Sequence, residues 1–237
     1  MRSGKVAAAF AVLLVVSFAV MNAMPSDTLP ATLLQEAVLA LVAFAAVGFA
    51  IPDALKRCTQ TVQQRSIVRF TAISLLLVGL VGGAITLLAW LFAGGGTMAC
   101  FASTALPSTA DLMENLLLLL GICLLTGLYE ESFMRVLGIE AFERALDTKR
   151  AILASAALFA LLHVGALDVS AGQLVLLQAV LKFGQALLFS VILGALYVRT
   201  RRLWPCAFIH AGFDVLYMAP NVLLTGTMPE TYASGAV

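Results

Sequence analysis

The chain has 237 residues with 14 Lys and Arg, 13 Asp and Glu and a formal net charge of +1, and 62% of its side chains are apolar against 11% charged. With a mean hydropathy of +1.02, it lacks the polar surface of a water-soluble globule, in which about a quarter of residues are charged. This composition excludes a nucleic-acid binder, a disordered linker and a secreted disulfide scaffold, and it predicts a polytopic membrane protein.

Seven apolar runs follow in chain order: Val6 to Met24, Ala31 to Ile51, Ile67 to Ala93, Leu112 to Tyr129, Ala151 to Val164, Leu174 to Tyr197 and Leu203 to Leu224. At about 1.5 Å per residue, all but the fifth are long enough for about 27–30 Å of hydrocarbon. The expected fold is therefore an all-α transmembrane bundle of about seven spans, and the longest connection is Glu130 to Arg150. Arg2, Lys5, Lys56, Arg57, Arg65, Arg69, Arg135, Arg144, Lys149, Arg150, Arg199, Arg201 and Arg202 all fall on one side of that alternation. The positive-inside rule makes it the cytoplasmic side and predicts a cytoplasmic N-terminus. The remaining basic residue, Lys182, lies inside the sixth run. Arg2 and Lys5 resemble the basic start of a signal peptide, but the first run is longer than such a segment needs and Met21-Asn22-Ala23 is a poor cleavage site.

The organisation expected from this pattern is 1–109 for the first three helices and their loops, 110–225 for a core bundle, and 226–237 for a short outer tail. Cys58, Cys100, Cys123 and Cys206 show no C-x-x-C spacing and no pair shares an oxidising compartment, so they read as packing residues. Gly94-Gly95-Gly96 opens a flexible outer loop.

Ionisable residues inside a bilayer cost at least about 2.5 to 3.5 kcal/mol each on insertion scales, so each needs a reason. The chain's two histidines, His163 and His210, both lie in apolar runs, and Glu130 and Glu131 end the fourth. On a helix, Glu130 and Glu131 point about 100° apart and are not expected to face one partner. Glu131 and Arg135 have the favourable i,i+4 order for an ion pair, leaving Glu130 as the candidate general base. Phe159 and His163, four apart, stack a ring against an imidazole, and His210 and Asp214 repeat the spacing with a carboxylate. Taken singly, each has a plainer reading: carboxylates marking the water interface, or satisfied polar groups in a core. Together they bring a base, a second proton carrier and oxyanion donors to three helices, the parts needed to hydrolyse an amide.

Glu130-Glu131-x-x-x-Arg135, Phe159-x-x-x-His163 and His210-x-x-x-Asp214, in this order on membrane helices, resemble the CPBP family of intramembrane proteases. That family includes the CAAX prenyl endopeptidases and the bacteriocin self-immunity proteins often called Abi. The likeness covers about Leu112 to Leu224, with Gly194-x-x-Tyr197-x-Arg199-Thr200 and Leu203-Trp204-Pro205 as supporting context. It implies a glutamic endopeptidase without a cofactor. Glu130 would activate water, His163 would carry the proton, and His210 with Asp214 would bind the oxyanion, with Glu131, Arg135 and Phe159 in support. Two positions depart from the family pattern. Asp214 stands where Asn is common, and a carboxylate cannot donate a hydrogen bond. Arg135 is followed by Val136-Leu137-Gly138 instead of directly by Gly, which obscures where the helix ends.

Other readings remain open at this level. Glu130, His163 and His210 are acceptable zinc ligands, although no His-Glu-x-x-His places ligand and base on one helix. A non-catalytic immunity or peptide-binding protein fits the same residues, whereas a carrier would show inverted repeats that are missing here. Gln178, Lys182 and Gln185 form one polar stripe on the sixth run. It serves either to contact substrate or to let Lys182 pair with an acid such as Glu36 or Glu114. The expected partners are the bilayer and a peptide or protein with a membrane-proximal segment, with no nucleic acid, in a prokaryotic plasma membrane.

Overall fold

A helix is the form an apolar segment takes in lipid, because it satisfies its own N–H and C=O groups without water. The computed structural model describes residues 2–58, 65–92, 107–164 and 173–229, and all regular structure among them is helical. In chain order these are α1 (Arg2–Ala23), α2 (Leu29–Ala50), the short α3 (Pro52–Cys58), α4 (Arg65–Phe92), α5 (Thr109–Glu131), α6 (Thr148–Val164), α7 (Gln173–Thr200) and α8 (Leu203–Thr225). The Gly94-Gly95-Gly96 loop, Cys100, the Cys58 side chain and the tail beyond 229 lie outside the described residues. Cys123 and Cys206 are buried free thiols.

Among the described residues, six helices are long and apolar enough to cross a membrane: α1, α2, α4, α5 with its continuation, α7 and α8. The short fifth run of the sequence is α6, with 17 residues, which reach about 25 Å at 1.5 Å per residue. Local signals set the helix ends. Thr28 caps α2 by accepting from the Ala31 N–H, and Ser108 and Asp111 form a reciprocal capping box on α5. Gly226 closes α8 in the left-handed region at φ 68°.

One expectation is corrected here. Glu130 to Arg150 is not a loop: α5 continues as a π-helix over Ser132–Ile139 and an α-turn over Glu140–Phe142, leaving 143–147 as the connection. The reason is burial. Every residue from Ser132 to Ile139 is enclosed, so the backbone must keep hydrogen-bonding internally, and Ser155 Oγ donates to the Met134 carbonyl at 2.7 Å.

Contacts between side chains fix the helix directions. Gly138 lies against Phe10, while Tyr129 bonds Ser17, so α1 and α5 are antiparallel. Gly79 meets Phe213 and Gly83 meets Leu216, so α4 and α8 are parallel, whereas Gly127 meets Ala207 and Gly226 meets Asn115, so α5 and α8 are antiparallel. Gly194 against Ile152 and Phe159 against Phe189 make α6 and α7 antiparallel. With the short turns after α1 and α7, these directions gather Lys5, Arg65, Arg69, Lys149, Arg150, Arg199, Arg201 and Arg202 at one end. There Arg201, at φ 50°, holds Glu143 by two hydrogen bonds of 2.8 Å. Burial pushes the Glu143 carboxyl up, but the Arg201 hydrogen bond and charge outweigh it and leave it below its ordinary value.

Packing follows the logic of lipid as solvent. On α2, Leu39, Ala43 and Val47 recur every fourth residue and are buried, while Leu41 and Phe49 point outward at 72% and 69% exposure. No hydrophobic force pulls helices together in hydrocarbon, so contact depends on close approach at small residues. Gly127 is one such point. A Cβ there would meet the Ala207 carbonyl at 2.6 Å. We therefore expect Gly127→Ala to separate α5 from α8 and cost about 1–3 kcal/mol, the usual range for overpacking. Gly184→Ala, where a Cβ meets nothing within 4 Å, should be neutral. Thermal unfolding of the two purified variants in detergent checks this, and equal midpoints would show that the crossing is not tight.

Candidate active site

The change from α to π geometry falls between Glu131 and Ser132, one residue beyond the candidate base. Irregular turns of this kind are frequent at functional sites. Arg135 is completely buried. Its Nη2 donates to Glu131 Oε1 at 3.1 Å, its Nε lies 3.0 Å from Glu131 Oε2 in ion contact without hydrogen-bond alignment, and its Nη1 donates to Ser190 Oγ at 2.8 Å. The Phe159 ring lies 5.0 Å from the guanidinium carbon. The expected Glu131–Arg135 pair is thus present, with α7 as an added partner.

Glu131 also does something the spacing did not reveal. His210 Nδ1 sits 2.8 Å from Glu131 Oε1, and its Nε2 faces Glu130 Oε2 at 3.5 Å and Asp214 Oδ2 at 3.4 Å. Adjacent glutamates do share a partner after all. An imidazole has a nitrogen on each side, and the close approach of α8 at Gly127 inserts it between the two carboxyls. Glu131 makes the shorter contact with the ring, at 2.8 Å against 3.4 Å for Asp214.

His163 is built from the other side. Its Nδ1 lies 2.9 Å from the Phe159 carbonyl, which can only accept. That makes Nδ1 the protonated nitrogen and leaves Nε2, 3.9 Å from Glu130 Oε2, as the basic nitrogen of the neutral ring. Phe159 covers the ring at a centroid distance of 4.1 Å. Glu130 Oε2 thus stands between two imidazoles and is itself without a hydrogen-bond partner among the described residues.

Glu130, His163 and Lys182 line a cavity of about 270 Å³ together with apolar side chains that include Leu14, Phe18 and Met21 of α1. His210 and Asp214 do not reach its wall. They lie behind Glu130, 3% and 8% exposed. Gln178 and Gln185 are half-buried on the face of Lys182 but do not line the cavity. A larger hollow of about 440 Å³ between α4 and α7 has no carboxylate or imidazole in its wall and offers no comparable chemistry.

Of two further features, Lys182 was already a candidate substrate contact in the sequence, whereas Glu36 was not legible as a site residue. Lys182 forms no ion pair among the described residues, so neither Glu36 nor Glu114 neutralises it. Glu36 instead takes a hydrogen bond from Thr126 and lies in the electrostatic field of Glu130, Asp214 and His210. An acid in the middle of an apolar span was the available signal. Among the described residues, no three His, Cys, Asp or Glu side chains are gathered closely enough to hold a metal ion.

No curated protein and no solved structure matches the chain. Residues 112–216, which carry all three motifs from Glu130 to Asp214, match the family described as type II CAAX prenyl endopeptidase Rce1-like. Residues 112–216 of this multi-pass membrane protein are thus similar to the Rce1-like CAAX protease family, the one that the order of its motifs resembles.

Proposed function

We propose that the chain is a glutamic intramembrane endopeptidase in which Glu130 activates a water for attack on a peptide bond held in a membrane-proximal segment. The observation that carries this reading is the placement of Glu130 on the cavity wall with its Oε2 between His163 Nε2 and His210 Nε2. Glu130 takes a proton from the water as its oxygen attacks the carbonyl carbon. His163, whose Nε2 is held free by the Phe159 carbonyl, passes that proton to the departing amine. Glu131 locks His210, and His210 Nε2 holds the carboxylate of Glu130 from behind. An oxyanion role for His210 and Asp214 would require substrate to reach past Glu130. The apolar residues of the cavity wall suit a hydrophobic tail, and the basic end of the bundle is placed in the cytoplasm on charge grounds.

Glu130→Gln and His163→Ala should each lower turnover of a prenylated or membrane-anchored peptide by about 10²-fold or more while the protein stays folded. Membrane proteomics of the parent strain against Glu130→Gln would reveal the protein termini it generates, and wild-type turnover in Glu130→Gln would refute the mechanism. Glu131→Gln should instead reduce folded protein by leaving Arg135 buried with less than its full partner charge, a loss of about 3–5 kcal/mol at most. Normal folding of that variant with a selective loss in kcat would make Glu131 catalytic.

Activity in detergent should survive strong chelators. Reversible inactivation with stoichiometric zinc in the active protein would favour a zinc hydrolase using Glu130, His163 and His210.

A further inference from the structure

Hydrolysis at Glu130 places a new negative charge, the oxyanion, in a site that already holds four carboxyls: Glu36, Glu130, Glu131 and Asp214. A positive group must meet it where the substrate lies. Arg135 cannot, because Glu131 and Ser190 occupy it and it is fully buried. His210 cannot meet it without displacement, since one nitrogen is given to Glu131 and the other faces Glu130 and Asp214 behind the cavity. Lys182 is the cation on the cavity wall, which it lines together with Glu130 and His163. It forms no ion pair among the described residues, and its charge bears on both His163 and Asp214. A lysine at the tenth residue of an apolar helix is costly unless its ammonium has such a task.

We propose that Lys182 Nζ is the electrophile of this site, a catalytic residue that binds the scissile carbonyl oxygen and neutralises the oxyanion. The inference rests on the glutamic-protease reading above. As water oxygen bonds to the carbonyl carbon, one water proton passes to Glu130 and the C=O π pair moves onto oxygen, against the ammonium. When that pair re-forms the double bond, the C–N bond breaks and the nitrogen takes the proton from Glu130 by way of His163. The products are a carboxylic acid and an amine, and no co-reactant is consumed. A flexible ammonium also explains how a chain with Asp214, which cannot donate when ionised, still has a donor for the oxyanion.

The test uses the full chain in detergent and a quenched fluorescent peptide with a prenylated cysteine near its C-terminus, made both as the free acid and as the amide. Lys182→Met should lower kcat by about 10²-fold or more, with KM nearly unchanged and the same loss for both peptides. Lys182→Arg, which keeps the charge, should recover part of it. A rise in KM confined to the free acid would overturn the proposal and make Lys182 an anchor for a terminal carboxylate. Unchanged kinetics in well-folded Lys182→Met would overturn it in favour of a structural role. Glu130→Gln in the same assay separates the two ideas: its full activity would defeat the protease mechanism itself, whereas an inactive Glu130→Gln beside an active Lys182→Met would defeat only the role of Lys182.

Discussion

Arg135 can stand at the centre of this bundle only while Glu131, Ser190 and the Phe159 ring hold its charge, and the rest of the site depends on that arrangement. Removing one partner of a buried pair leaves an uncompensated charge worth several kcal/mol, so the geometry of Glu131 is tightly constrained. Its Oε1 in turn holds His210 Nδ1, which sets the plane of the imidazole and aims Nε2 at Glu130. One ion pair thus connects the stability of α5 and α7 to the orientation of a side chain on α8. The π-helical segment fits the same logic, since it keeps the backbone of 132–139 satisfied while that segment is enclosed.

Two features of the surroundings let this polar cluster exist in hydrocarbon. Glycines bring the helices close enough for short side chains to meet, as at Gly127 against Ala207 and at Gly79 against Phe213. Aromatic rings then pack against the imidazoles. Phe189 lies edge-on to His210 at 4.8 Å, and Phe159 covers His163. The family match begins at residue 112, yet α1 supplies apolar residues to the cavity wall and α2 supplies Glu36 to the electrostatic cluster. The helices before the matched core therefore help to shape the site.

Much of this was legible in the amino-acid order because each signal is local. Apolar runs are set by the length needed to cross hydrocarbon, so the helix ends fall within a few residues of the run ends. The i,i+4 spacings of Glu131 and Arg135, Phe159 and His163, and His210 and Asp214 translate directly into shared helix faces. The mistaken reading of 130–150 as a loop had a local cause too: charged Glu130, Glu131 and Arg135 interrupt the apolar run, and nothing in their spacing shows that they neutralise one another inside the bundle. Glu36 was noticed only as a possible mate for Lys182, since its neighbours Thr126, Glu130 and Asp214 are distant in sequence.

The sequence by itself determined the helical class, the membrane setting, the one-sided distribution of basic residues and the identity of the motif residues, because these depend on composition and on spacings within one helix. Only the tertiary structure decided which carboxyl lies nearest His210, which groups reach the cavity wall and which cation is left unpaired there. Those outcomes depend on how closely and at what register separate helices cross, and a one-residue change of register rotates a helical side chain by about 100°.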